Sequence, residues 1–179
     1  MSLDPTDESP LDEPVDPIAP VLVGSDLIER LDEAESRLRA HSEADNATGL
    51  TEPDEGGTER WEAGQVWAHI AEFVPYWYEQ IQAVIGGYDG TPVPFGRTKS
   101  DPDRIAAIEM GRHEDVAGQM ARTHAAIEEL KRYLEGLMPA DWTAVGLHPR
   151  RGEMDVEQMV ERFVVDHLEE HAEQLDKLG

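Results

Sequence analysis

Cysteine is absent from the 179-residue sequence. Without it the chain can form no disulfide framework, no thiolate metal site and no cysteine nucleophile. Any metal ion must therefore be bound by His, Asp or Glu side chains, and any thiol that takes part in a reaction must come from a small molecule.

Basic residues are scarce. The sequence has 15 Lys and Arg residues against 39 Asp and Glu residues, which gives a formal net charge of -24 at pH 7. A field of this sign repels phosphate backbones and anionic lipid head groups. We therefore expect a solvated acidic surface and no nucleic-acid or membrane partner.

Aromatic residues and long apolar runs are also few. Aromatic residues make up 6% of the chain, whereas Ala, Glu and Leu are abundant, a composition that favours helix over sheet. No apolar run is long enough to span a bilayer, and the N-terminal segment has neither the basic nor the apolar part of a signal peptide. We expect an all-α, soluble, cytoplasmic protein.

Proline and acidic residues dominate residues 1–24. Prolines occupy positions 5, 10, 14, 17 and 20, acidic residues lie between them, and Lys and Arg are missing from the segment. Such a segment buries too little apolar surface to offset the entropy lost on ordering. The pattern predicts a disordered acidic arm at residues 1–24, followed by one domain at residues 25–179.

Apolar residues at helical spacing predict four helices in this domain. The helices are expected from Ser25, as N-cap, to about residues 41–44; from Trp61 to about Ile85; from a start signal at residues 100–103 to about Gly136; and from Asp155, with Gln158 as capping-box partner, towards the C-terminus. Because each helix has one apolar face, the economical architecture is a four-helix bundle.

Helix-breaking residues predict three local features. Gly86 and Gly87 are expected to end the second helix, and Pro75 to kink it, since proline removes one backbone donor. Gly111 and Gly118 are weak points in the third helix, where we expect an irregularity.

His167 and His171 are four residues apart in the predicted last helix. This spacing places their Cβ atoms about 5–6 Å apart on one face, where two imidazoles can bind one ion. They continue the apolar stripe of that helix, so they are expected to point inwards. The alternative is a pair of hydrogen-bonded core histidines.

His69 adds a third histidine on the apolar side of the second helix, between Val66 and Phe73. Three histidines from two helices are costly to bury without a purpose. Three neutral imidazoles on one ion also leave open coordination positions, which is typical of catalytic metal sites. The sequence therefore predicts a metal site made of His69, His167 and His171.

Three segments resemble the DinB-like superfamily. They are WEAGQVWAHI at residues 61–70, DHLEEHAEQL at residues 166–175, and HPRRGEMDV at residues 148–156. The resemblance covers roughly residues 25–179, although only the His-bearing segments are specific.

The resemblance implies a four-helix bundle, often a homodimer, with a Zn, Ni or similar divalent ion bound by one His of the second helix and two of the last. Those roles fall on His69, His167 and His171. Some members use the low-molecular-weight thiols mycothiol or bacillithiol, as S-transferases or in maleylpyruvate isomerisation, and others have no assigned reaction. A metalloenzyme that acts on a small-molecule substrate is therefore expected.

A divalent ion lowers the pKa of a bound water or thiol, so such a site could serve hydrolysis or thiol addition. Arg150 and Arg151 are candidates for binding a substrate or cofactor carboxylate, with solvated cations as the alternative. His148, in the loop before the last helix, and Glu170 are candidate catalytic groups. Glu170 also completes an H-x-x-E-H string, which by itself is weak evidence for a peptidase.

His113 and His124 lie near the apolar stripe of the third helix. A role for either as a fourth metal ligand or an acid-base group is the less favoured interpretation.

Two other functions compete with that of a metalloenzyme. One is a non-catalytic bundle that binds a metal or a partner, with the acidic arm as its interaction segment. The other is a stability scaffold whose histidine cluster holds no ion.

Overall fold

The computed structural model describes residues 24–44, 48–53 and 58–178. The arm predicted at residues 1–24 lies outside them, apart from Gly24. The helices are α1 (Ser25–Glu43), α2 (Ala63–Gly87), α3 (Pro102–Gly111), α4 (Val116–Glu135), α5 (Pro139–Trp142), α6 (Val156–Val160) and α7 (Asp166–Asp176). A π-helical turn (Glu161–Val165) joins α6 to α7. We call this continuous α6–π–α7 unit the last helix.

The bundle is formed by α1, α2, α4 and the last helix. α1 contacts α4 and α7, α2 contacts α4 and the last helix, and α3 lies against α2. The largest completely buried side chains from these helices form one core: Leu31, Leu38, Phe73, Ile70, Ile81, Ile127, Leu130, Leu134, Met159, Leu168 and Leu175. The predicted helical bundle is therefore confirmed.

Three helix boundaries differ from the sequence prediction. α2 begins at Ala63 and not at Trp61, because Glu62 forms its N-cap in a capping box with Gln65. Ser25 is the first residue of α1, not its N-cap, because Gly24 occupies the cap position in a left-handed conformation with φ 79°. A side chain at Gly24 would also collide with Trp142. Gly86 and Gly87 end α2 as predicted, but they lie inside its last turn and not after it, since neither has a positive φ. Pro75 is accommodated inside this helix.

The single third helix that was predicted is two helices. α3 ends at Gly111, and α4 begins after Asp115, whose carboxylate accepts the backbone N–H of Gly118 at 3.0 Å. The buried Gln119 amide donates to the carbonyl oxygen of Gly111 at 2.6 Å and so satisfies a group released at the break. The irregularity expected near Gly111 and Gly118 is therefore a complete interruption.

Segments predicted as loops contain a small three-stranded sheet. β1 (Val93–Pro94) pairs in parallel with β2 (Val145–His148), and β2 pairs antiparallel with β3 (Gly152–Asp155). Asp155 then caps α6 in the predicted capping box with Gln158. The sheet thus leads directly into the last helix and fixes where that helix begins.

The π-helical turn lies just before the histidine pair. Around it three consecutive side chains are buried, Phe163, Val164 and Val165. A π turn contains one residue more than an α turn and occurs mostly as a single turn inside an α-helix, frequently at functional sites. The last helix is therefore continuous, as predicted, and contains a π turn that the residue pattern did not indicate.

Arg30 connects α1 to the last helix. Its guanidinium donates to Asp166 at 2.9 Å and to the two oxygens of Glu169 at 2.9 and 2.7 Å, and it contacts Glu161 at 3.2 Å. Asp166 and Glu169, which flank His167 in sequence, are therefore engaged in holding helices together.

Within the described ranges, we find no helix that is long and apolar enough to cross a membrane.

Candidate metal centre

The three predicted histidines come together between α2 and α7. One ring nitrogen from each of His69, His167 and His171 lies within 4.8 Å of the others. His69 Nε2 is 3.2 Å from His167 Nε2, and the ring centroids of His167 and His171 are 4.7 Å apart. His69 and His171 are buried, whereas His167 is partly exposed. We call these three residues the histidine cluster.

The spacing of the two Nε2 atoms fits shared coordination. Two nitrogens bound to one tetrahedral Zn at about 2.0–2.1 Å are separated by roughly 3.4 Å. The observed 3.2 Å between His69 and His167 is close to that value.

Hydrogen bonds determine which nitrogen of His171 carries the proton. His171 Nδ1 lies 2.8 Å from the side-chain oxygen Oε1 of Gln174, which can only accept. Nδ1 is therefore assigned as a donor, so that Nε2 is the nitrogen that can bind a metal ion.

Glu72 lies near the corresponding nitrogen of His69, although it makes no hydrogen bond to it. Its Oε2 atom lies 3.6 Å from His69 Nδ1, one helical turn away on α2. A carboxylate at this position favours a proton on Nδ1 and a lone pair on Nε2, the atom that faces His167. Glu72 in turn forms an ion pair with Arg97, and Arg97 also contacts Asp101 at 3.8 Å. No signal in the sequence distinguished Glu72, apart from its position one helical turn after His69.

Burial keeps the imidazoles of His69 and His167 neutral. Burial lowers the pKa of His69 well below its usual value, and the neighbouring His171 and His167 rings lower it further. Burial and His171 act in the same direction on the pKa of His167. Neutral imidazole is the form that binds metal.

Two aromatic rings enclose the cluster. The Phe73 ring lies 4.5 Å from that of His167 and 5.2 Å from that of His69, centroid to centroid. Trp61 meets His69 edge to face at 5.2 Å and stacks on His171 at 6.3 Å. The Trp61 backbone is bound to Thr51 by hydrogen bonds of 2.8 and 2.9 Å, which hold the indole in place.

The structure places His148 in a different environment. It is buried among the rings of Trp77, Phe95 and Phe163, with centroid distances of 5.0 to 6.3 Å. Its Nδ1 accepts the backbone N–H groups that follow it, at 3.2 and 3.3 Å. Burial lowers its pKa, opposed by the backbone of Arg97. The β2 strand thus holds His148 as a neutral packing residue.

The remaining sequence candidates lie on the surface. Arg150 and Arg151 are exposed on the turn between β2 and β3, where the Arg151 guanidinium carbon is 5.7 Å from the Phe163 ring centroid. Glu170 is exposed on α7, and its carboxylate lies 3.5 Å from Arg162 Nη1. The structure does not gather these three side chains around the histidine cluster.

A second group of potential ligands lies between α1 and α4. It consists of Glu35, His124 and Glu128, and His124 Nδ1 is 2.8 Å from Glu35 Oε1. Arg39 and Lys131 already pair with these two carboxylates, at 2.5 and 2.8 Å. Their positive charges leave little attraction for a further cation. His113 is exposed near the start of α4.

A helical bundle in which three imidazoles meet between two helices defines the class of this protein. Residues 25–175 match the model of the DinB superfamily. The chain therefore belongs to the DinB superfamily, as its histidine segments indicate.

Solved structures share the fold. YfiT from Bacillus subtilis, described as a probable metal-dependent hydrolase with an unusual four-helix bundle topology, matches with a TM-score of 0.68 and 17% identity over 98% of this chain and 91% of that one. The mycothiol-dependent maleylpyruvate isomerase matches with a TM-score of 0.62 and 13% identity over 84% of this chain, which spans 59% of that protein. An uncharacterised protein from Escherichia coli UTI89 matches with a TM-score of 0.59 and 11% identity, over 85% of this chain and 90% of that one. No curated protein matches the sequence.

Proposed function

We propose that His69, His167 and His171 bind one divalent metal ion and that the protein is a metalloenzyme. The observation that carries this proposal is the approach of the Nε2 atoms of His69 and His167 to 3.2 Å. At this distance the two ring nitrogens, both on imidazoles of lowered pKa, can share one proton or one metal ion. Imidazole ligands suit Zn or Ni, and we propose one of these as the resident ion.

A divalent ion bound at this site would lower the pKa of a water or thiol bound to it. The protein's own residues prepare the site for that role. Gln174 orients the imidazole of His171 through a hydrogen bond, the charge of Glu72 faces Nδ1 of His69, and Phe73 and Trp61 shield the cluster from bulk water. The partly exposed His167 marks the side from which a small molecule reaches the cluster.

We propose that the reaction is attack of a thiol or of water on a small electrophile. Since the chain has no cysteine, the thiol is a separate low-molecular-weight molecule such as mycothiol. The related folds are described as a probable metal-dependent hydrolase and a mycothiol-dependent isomerase, which supports both versions of the reaction. Catalytic roles for His148 and Glu170, and binding roles for Arg150 and Arg151, stay predictions. None of the four side chains lies at the histidine cluster. The homodimer and the cytoplasmic location also stay predictions.

The test combines metal loading with a turnover assay. Protein that has never contacted a nickel column is loaded with Zn²⁺ or Ni²⁺ and incubated with an electrophile, with and without a low-molecular-weight thiol. Adducts and hydrolysis products are followed by mass spectrometry. We expect metal-dependent turnover that is lost in His167→Ala and kept in the matched control His113→Ala, whose ring is exposed.

Turnover that is unchanged in His167→Ala or after removal of the metal would contradict the proposal. A metal-loaded protein that forms neither product would favour the alternative, a non-catalytic metal-binding bundle.

A further inference from the structure

One arginine of α1 binds three carboxylates of the last helix. Arg30 donates to both oxygens of Glu169, at 2.9 and 2.7 Å, to Asp166 at 2.9 Å, and to Glu161 at 3.2 Å. Glu161 is the first residue of the π turn, and Asp166 is the first residue after it. The guanidinium therefore connects the two ends of that turn to each other and to α1. We call Arg30 with these three carboxylates the Arg30 network.

The π turn is what allows one guanidinium to reach both of its ends. In a regular α-helix two residues five positions apart point about 140° away from each other, because each residue advances the direction by about 100°. In a π turn the hydrogen bonds join residues five apart, which brings such residues onto one side of the helix. The backbone N–H of Asp166 donates to the carbonyl oxygen of Glu161 in this way. The same two residues thus share a backbone hydrogen bond and a guanidinium.

The Arg30 network therefore favours the π form of this turn over the α form. Relaxation of the turn to a regular α-helix would move Glu161 and Asp166 apart, so that Arg30 would lose one of them. A contact that forms in only one of two conformations stabilises that conformation, and hydrogen bonds between charged groups are the stronger ones. The buried side chains of Phe163 and Val164 hold the turn from the core, and Arg30 holds it from the side of α1.

The same contacts fix how α7 is rotated about its own axis. Asp166 and Glu169 are three positions apart and lie on the side of α7 that faces α1, where Arg30 binds both. His167 and His171 are four positions apart and lie in the histidine cluster against α2. Because both pairs belong to one helix, a rotation that took the carboxylates away from Arg30 would also turn the two imidazoles away from α2.

Two other ion pairs show what distinguishes Arg30. Arg37 also joins α1 to α7, at 2.7 Å from Asp176, but this pair lies towards the C-terminal ends of both helices and does not touch the π turn. Arg162 pairs with Asp166 at 3.2 Å, but both residues belong to the last helix. Among the residues that the structure describes, only Arg30 forms ion pairs that join α1 to the π turn.

We propose that Arg30 is a positioning residue of the histidine cluster: the Arg30 network holds the π turn and thereby the direction of His167 and His171. The consequence for metal binding rests on the proposed function, whereas the effect on the helix does not require a metal. The alternative is that Arg30 only adds stability, as any ion pair between two helices can.

The experiment compares four variants of the full chain with the wild type. Arg30→Gln removes the guanidinium, Glu169→Gln removes the carboxylate that it binds through two hydrogen bonds, and a protein with both changes completes a double-mutant cycle. Arg37→Gln is the matched control, because it also removes an arginine of α1 that pairs with α7. Urea unfolding gives the stability of each protein.

Two measurements are made on metal-free protein by nuclear magnetic resonance. Hydrogen exchange of the Asp166 amide reports the π-turn hydrogen bond to Glu161, and the nuclear Overhauser effect between the rings of His69 and His167 reports the cluster. A third measurement, titration with Zn²⁺ against a chromophoric chelator, reports the affinity of the protein for metal.

We expect Arg30→Gln and Glu169→Gln each to speed exchange of the Asp166 amide about tenfold, to weaken the ring contact and to lower Zn²⁺ affinity about tenfold. The double variant should resemble either single variant, because both changes remove the same contact. Arg37→Gln should leave the exchange of this amide, the ring contact and the Zn²⁺ affinity at wild-type values, whatever stability it loses.

Unchanged exchange of the Asp166 amide or an unchanged ring contact in Arg30→Gln overturns the inference. Effects of the same size in Arg37→Gln, or effects that simply add in the double variant, overturn it as well. If Arg30→Gln does not fold, Glu169→Gln decides by the same criteria. A wild type that binds no Zn²⁺ contradicts the proposed function instead, and the two measurements on metal-free protein still decide the role of Arg30.

Discussion

His69 Nε2 lies 3.2 Å from His167 Nε2, although the two residues are 98 positions apart in the chain. Two neutral imidazoles at this separation can be joined by one proton or by one metal ion. The third imidazole, His171, lies on the same face of α7 and within the same 4.8 Å limit. A shared proton joins only two nitrogens, whereas a metal ion binds three or more ligands. The presence of a third imidazole therefore favours the ion.

Removal of any one of the three imidazoles should therefore lower the affinity of the protein for metal. We expect His69→Ala, His167→Ala and His171→Ala each to weaken Zn²⁺ binding by more than about 100-fold, since two ligands cannot replace three. Competition with a chromophoric chelator measures the affinity, and elemental analysis gives the stoichiometry. His113→Ala is the control. A variant of the cluster that kept wild-type affinity would show that its histidine is not a ligand.

Glu72→Gln tests whether the carboxylate beside His69 orients that ring. The variant keeps the size of the side chain but removes the charge that faces His69 Nδ1 and Arg97. We expect Zn²⁺ affinity to fall by about 10- to 100-fold, the usual effect of losing a partner of a metal-bound imidazole. The same titration on Glu79→Gln, exposed on the same helix, should give the wild-type value. Equal affinity in both variants would leave Glu72 with a structural role only.

The lowered pKa values of His69 and His167 predict how the stability of the metal-free protein changes with pH. In the unfolded chain both histidines titrate near about 6.5, whereas in the folded protein they stay neutral to a lower pH. Between these values the unfolded state binds more protons, so the free energy of unfolding falls as the pH drops below about 6.5.

Urea unfolding in EDTA between pH 7.5 and 5 measures this dependence. His69→Gln removes one of the two groups, so its slope should be shallower than that of the wild type by up to about 1.4 kcal/mol per pH unit. His113→Gln should follow the wild type. Parallel curves for all three proteins would mean that burial does not hold His69 neutral.

Replacing two glycines of α2 by alanine should change the stability of the protein in opposite directions. A Cβ atom at Gly64 would lie 2.0 Å from the carbonyl oxygen of Arg112, in the connection between α3 and α4, whereas nothing lies within 4 Å of a Cβ atom at Gly86. We expect Gly64→Ala to lower the free energy of unfolding by about 2 kcal/mol through overpacking. Gly86→Ala should raise it by about 0.5–1 kcal/mol through helix propensity. Thermal unfolding compares the two, and stabilisation by Gly64→Ala would contradict the close contact.

The helices and the histidine cluster could be predicted from the sequence because both depend on periodicity. The spacing of His167 and His171, and the position of His69 within an apolar stripe, determine which way the side chains point once helices form. Strands of two and four residues have too few alternating positions to be recognised, so the sheet of β1, β2 and β3 was missed.

Other features depend on contacts that the sequence does not express locally. The break between α3 and α4 is completed by the buried amide of Gln119, and the effect of Glu72 on His69 depends on their being one turn apart beside Arg97. The role of Trp61 against the cluster depends on Thr51, which lies outside the helix. In each case the residue pattern does not specify which partner a side chain meets once the chain has folded.

The π-helical turn at Glu161–Val165 lies between two buried stripes of the last helix. Before it, the helix buries the stripe that contains Val156 and Val160; after it, the buried stripe contains Leu168 and Leu175. The second stripe is rotated by about one residue, or roughly 100°, from the first, so an uninterrupted α-helix could not bury both. The extra residue thus brings both stripes onto the side of the last helix that faces the bundle. The imidazoles of His167 and His171 consequently owe their direction towards α2 to one inserted residue upstream of them.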